Sequence, residues 1–159
     1  MVELGQTEQG RAELEAGGTS FTGVSLFRTE SLIEVYLRIS GAEQAVIRLD
    51  EELSRFERSG AYLHEPELHR LKGEAILIRD SSATAEAETC FRKAIDIARG
   101  QSAKWSELRA TVSLARLLRD AGRSDEARAM LAEVYNWFTE GFDTADLKDA
   151  KTLLDELQS

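Results

Sequence analysis

The 159-residue chain carries 29 Asp and Glu against 20 Lys and Arg, and its net charge of -9 repels nucleic-acid phosphates and anionic lipid surfaces. Its 42% hydrophobic content suffices for a continuous core, yet charges interrupt every apolar run well short of the roughly 18 residues that span a bilayer. A single cysteine, Cys90, excludes an intramolecular disulfide, and an N-terminus with neither a basic nor an apolar leader points to a reducing, cytoplasmic setting.

One proline, 7% aromatic residues and apolar positions recurring at steps of three and four predict an all-α chain of about eight helices. The first is expected over 4–16, ending at Gly17-Gly18. The second, over 22–39, sets Leu26, Leu32, Ile33, Tyr36 and Leu37 on one face and stops at Ser40-Gly41. A third over 42–58 carries Ala45, Val46, Leu49, Leu53 and Phe56. Pro66 lacks an amide proton and suits a first helical turn, so it marks the start of a fourth helix, which carries Leu68, Leu71, Ala75 and Ile78 and ends near Arg79. Ser82 or Thr84 can cap a fifth over 84–99, with Glu86 and Glu88 near its positive end. A sixth over 104–120 ends at Gly122. Ser124 is expected to cap a seventh, which has Asp125 and Glu126 in its first turn and runs to about Glu140, where Gly141 closes it. Asp143 or Thr144 opens the last helix, with Leu147, Ala150, Leu153, Leu154 and Leu157 facing inward.

One spacing recurs within these helices. Ala87, Phe91 and Ala94, and then Ala127, Leu131 and Val134, follow each other at +4 and +3; Ala45, Leu49 and Glu52 give a further copy, at offsets of 42 and 40 residues. Antiparallel helices approach most closely where side chains are small, with a large residue filling the hole alongside. The preceding helices offer the complement in Leu32-Ile33 with Tyr36, Gly73 with Ile76, and Leu114-Ala115 with Leu118. This pattern resembles the tetratricopeptide repeat, which implies antiparallel pairs stacked as a right-handed superhelical array. By that resemblance, 1–159 is one domain: a half repeat at 1–20, repeats at 21–60, 61–101 and 102–141, and a capping helix at 142–159. A standard unit has about 34 residues and ends in proline, whereas Glu57, Arg99 and Thr139 occupy that place here, so the second helices can run on and lengthen the period. Armadillo and HEAT arrays have similar lengths but lack the Ala, large, Ala signature. Three departures stand out: Glu52 replaces a small residue, Lys72 a leucine, and two extra residues lie between Asp80 and Thr84.

Between Glu67 and Leu157 the segments ELHRLKGE, AETCFRKAIDIAR and YNWFTEGFDTADLK also resemble the C-terminal tetratricopeptide region of bacterial multidomain ATPase and adenylate-guanylate cyclase-like regulators. The resemblance implies a signalling context with neighbouring domains. It carries over no catalysis, because the chain has no phosphate-cradling GxxxxGK[ST] loop.

Candidate chemistry is sparse. His64 and His69 lie five apart, off the one-turn spacing that lets two imidazoles meet a metal, and read as surface residues. Cys90 lacks a histidine or CxxC partner and reads as a buried or half-buried thiol; Trp105 and Trp137 read as wedges between helices. Asp143, Asp146 and Asp149 lack the pattern of a calcium loop, and Glu51, Glu52, Glu86 and Glu88 suit solvated faces. No cofactor or metal is expected.

The resemblance projects a strip of residues onto the concave side of the array. Glu34 and Arg38 would stand in the first repeat, Glu67, Arg70 and Glu74 in the second, and Arg109, Arg116 and Arg119 in the third, beside the packing residues Gly73 and Ala115. Phe27, Glu30, Leu37, Leu77, Ile78 and Val112 flank them. The arginines could meet carboxylates of a peptide or adjacent domain, or pair within the chain with Glu107 or Asp120. The expected function is a non-catalytic scaffold that contacts a protein, a peptide or domains of a parent protein, with no nucleic acid and no membrane. The alternatives are a homodimerising module, and a small helical ligand-binding protein or enzyme.

Overall fold

The computed structural model describes residues 41–59 and 64–158. The helices expected over 4–16 and 22–39, and with them Glu34 and Arg38, lie outside those residues. Among the described residues there are six α-helices and no strand: α1 Ala42–Ser59, α2 Glu65–Arg79, α3 Thr84–Gly100, α4 Lys104–Asp120, α5 Ser124–Tyr135 and α6 Ala145–Glu156. None is long and apolar enough to cross a membrane.

Each helix packs on the next in sequence, and α4 also packs directly on α2 and on α6. The connections that link α2 through α5 are three or four residues long, which leaves neighbours no option but to run antiparallel. Two of them close alike. After α3 the amide of Ala103 donates to the Ala98 carbonyl at 2.8 Å, and after α4 the amide of Arg123 donates to that of Leu118 at 2.8 Å, the six-to-one bond of a Schellman turn. The left-handed position is held by Gly122 (φ 76°) in one and by Ser102 (φ 55°) in the other.

The core follows from small residues at helix crossings. Ala87, Ala94 and Ala127 are fully buried, as are Phe91 and Leu131 at about 1% exposure or less, and Ala45, Leu49 and Ala115 join the same cluster. Gly73 of α2 faces Phe91 of α3 so closely that a methyl group built on it would come within 2.5 Å of the ring. Lys72, where the repeat pattern has leucine, reaches out of the core to Asp50 of α1 at 2.6 Å.

Four expectations are corrected. The hydroxyl caps are not made: Ala83 and Arg123 hold the positions before α3 and α5, Ser124 is already helical, and Ser82 turns back so that its amide and hydroxyl donate to Asp80 at 2.9 and 2.6 Å. α5 stops at Tyr135, not Glu140. There the amides of Trp137 and Phe138 fall back to carbonyls three residues behind, and the chain turns Phe138 under Trp105, with ring centroids 4.7 Å apart. Trp137 is not a wedge between helices: it is 58% exposed, edge-on to Phe138, with Lys104 above it. His69 is not a surface residue. It is 7% exposed, and burial together with Lys93 and Lys72 drives its pKa down to about 4, against a smaller opposing pull from Asp50.

Two predictions follow from this packing. Gly73→Ala gains up to about 1 kcal/mol of helix propensity but must displace the Phe91 ring; a net loss of about 1 to 3 kcal/mol is expected in chemical unfolding, with part of it recovered on adding Phe91→Leu. His69 binds its proton more readily unfolded, with an ordinary value of 6.5, than folded, at about 4. Stability is therefore full above pH 6.5 and falls as the pH drops towards 4. A melting-temperature series should show that slope, and His69→Gln should flatten it.

Candidate functional site

The elements that pack on each other leave a cleft of about 440 Å3 between α2, α4 and the α2–α3 turn. Its floor is apolar: Leu77 from α2, Phe91 from α3 and Leu117 from α4. Its rim is polar. Glu74 comes from α2, Ser81 from the turn, Thr84 from the start of α3, and Ser113, Arg116 and Asp120 from α4. Phe91 thus has two duties, packing on Gly73 with part of its ring and flooring the cleft with the rest.

Three of the projected strip residues, Glu74, Leu77 and Arg116, are brought together here. Glu74 accepts from Arg70 at 2.5 Å and from the Ser113 hydroxyl at 2.9 Å, so it ties α2 to α4 across the cleft wall. Arg70 is also held by Glu67, one turn back. Arg109, Arg116 and Arg119 do share a face of α4, but that face looks to α6. Arg109 pairs with Asp146 at 2.9 Å, Arg116 with Asp149 at 2.6 Å and Arg119 with Glu156 at 2.6 Å, in ascending order along both helices, so α6 lies parallel to α4. Arg119 also meets Asp120. The pairing with Glu107 is made by other cations. Its carboxylate, buried to 3% exposure, receives Arg99 from α3 and Lys104, both at 2.7 Å. Burial alone would raise the Glu107 pKa, and the hydrogen bonds from Arg99 and Lys104 outweigh it and hold it below the usual range. Glu88 behaves likewise, held down by Arg92 and Arg123 against burial.

The residues that the sequence reading missed are Ser113, Leu117 and Asp120, which with Arg116 form a stripe at steps of +3, +4 and +7 along α4. Periodicity alone could have found the stripe. The projected set of 109, 112, 116 and 119 lies one position round the helix, towards α6; Val112 is buried and Ile78 stands 63% exposed away from the cleft.

Cys90 is buried, and burial pushes its thiol above the ordinary value, which disfavours the nucleophilic thiolate. Among the described residues no group of three or more His, Cys, Asp or Glu is placed to hold a metal ion.

The α4–α6 pairs are half-exposed, with side-chain exposures of 46% and 47% for Arg116 and Asp149. Arg116→Ala is therefore expected to cost less than about 1 kcal/mol in urea unfolding, and Ala127→Leu at a helix crossing about 1 to 3 kcal/mol. Equal losses would mean that the faces are misassigned.

Comparison of the chain with protein-family models, with curated proteins and with solved structures finds no match in any of the three.

Proposed function

We propose that the chain is a non-catalytic protein-interaction scaffold, a tetratricopeptide-type array whose row of α2, α4 and α6 faces the partner. One observation carries the reading: the cleft opens between α2 and α4, the first helices of successive pairs, with Glu74, Leu77 and Arg116 around it. A second contrast supports it. α4 packs directly on α2 and on α6, with which it also pairs through its arginines, whereas α3 and α5 approach less closely and meet through long side chains, Arg92 to Glu126 at 2.8 Å and Arg123 to Glu88 at 2.9 Å. A row packed closely on one side and bridged at arm's length on the other curves towards the close-packed side, as in repeat arrays whose concave surface binds peptides. The partner is a protein segment or a neighbouring domain of a larger cytoplasmic regulator, the setting that the resemblance over Glu67–Leu157 implies.

The test is to pan a random peptide library against the chain and to map the selected peptides by hydrogen–deuterium exchange. Slower exchange in α2 and α4, with α3 and α5 unchanged, is expected. Failure to enrich any peptide, or protection confined to α3 and α5, contradicts the reading.

A further inference from the structure

We infer that the cleft between α2 and α4 selects a basic, aliphatic segment, an apolar side chain seated on its floor and a lysine or arginine beside it at the rim; this rests on the interaction-module reading above. The floor is apolar, the half-buried Leu77 over the buried Phe91 and Leu117; it offers nothing to a polar group, and an aliphatic one covers the part of Leu77 left exposed. The rim sets the sign of the charge. Among the described residues the rim carries two carboxylates, Glu74 and Asp120, and one cation, Arg116, which pairs with Asp149.

The same imbalance extends outward. Among the described residues, Arg70, Arg116 and Arg119 meet the carboxylates of Glu67, Glu74, Asp149, Asp120 and Glu156. Three cations against five anions leave negative charge around a cleft with apolar walls, which concentrates the field on whatever enters it. The chain's net charge of -9 adds to the attraction from a distance. An acidic segment would meet repulsion at the rim and would have to break the α4–α6 pairs to reach a guanidinium; a basic one meets Glu74 and Asp120, which share Arg70 and Arg119 with Glu67 and Glu156.

Fluorescence anisotropy with three synthetic ten-residue peptides tests this: one with leucine flanked by lysines on a Gly/Ser background, one with the lysines replaced by glutamates, and one with the leucine replaced by serine. The first should bind about tenfold or more tighter than either control, and its affinity should fall as salt rises. Glu74→Gln combined with Asp120→Asn should weaken it several-fold. Thr84→Trp, at an exposed rim position that tolerates change, should abolish it with the melting temperature unmoved. If the glutamate peptide binds this cleft as well or better, the inference fails while the interaction-module reading stands. If the lysine peptide binds but ignores the leucine and Thr84→Trp, the attraction is to the acidic surface at large, and the inference fails. If none of the three binds, a basic aliphatic ligand is refuted, whatever the library panning returns.

Discussion

The architecture depends on one steric constraint, the close approach of α2 and α3 at Gly73 and Phe91. Helix pairs can touch backbone to ring only where a side chain is missing, and the 2.5 Å gap that a methyl group would have to occupy shows how little room remains. Because the contact fixes both the rotation and the height of α2, it also fixes where the adjacent Glu74 and, one turn on, Leu77 emerge. The cleft inherits its geometry from that crossing. The fully buried Ala87, Ala94 and Ala127 allow similar approach elsewhere, and none of them could be enlarged without moving a helix.

Around this core the charges do local jobs. Glu107, nearly inaccessible, anchors the last turn of α3 to the first turn of α4 through Arg99 and Lys104. Most other pairs are half-exposed and add little stability each. Their arrangement matters more than their strength: Arg109, Arg116 and Arg119 are engaged by α6, while Glu74 and Asp120 at the cleft share Arg70 and Arg119 with other carboxylates, which gives the cleft its sign. The terminal helix therefore both closes the core with Leu147, Ala150, Leu153 and Leu154 and shapes what the neighbouring face presents.

Much of this was legible in the residues. Gly122 and Pro66 punctuate a clear helical period, and the alanine spacing marked buried positions, because both signals act within a few residues along the chain. What escaped depends on groups far apart in sequence. The strip of arginines reads as open until α6, more than 30 residues on, brings Asp146, Asp149 and Glu156 against it. The spacing of His69 from His64 says only that the two do not share a metal, and not that His69 is buried, with Asp50 of α1 and Lys93 of α3 acting on it. The end of α5 was misjudged because the apolar pattern continues through Phe138, whose partner is Trp105 across the turn, not the next turn of its own helix. Hydroxyls near the starts of α3 and α5 suggested caps that are not made: Ser82 bonds back to Asp80, and Ser124 lies inside its helix.

The most direct test of the Gly73 crossing is its proton chemical shift. A glycine α-proton packed against the face or edge of a phenyl ring is displaced by the ring current and shows nuclear Overhauser contacts to the ring protons. Proton NMR of the labelled chain should find the Gly73 α-protons shifted away from ordinary helical values, with cross-peaks to Phe91 that vanish in Phe91→Leu. Ordinary shifts, with no cross-peak between Gly73 and Phe91, would contradict the crossing, and with it the placement of the cleft.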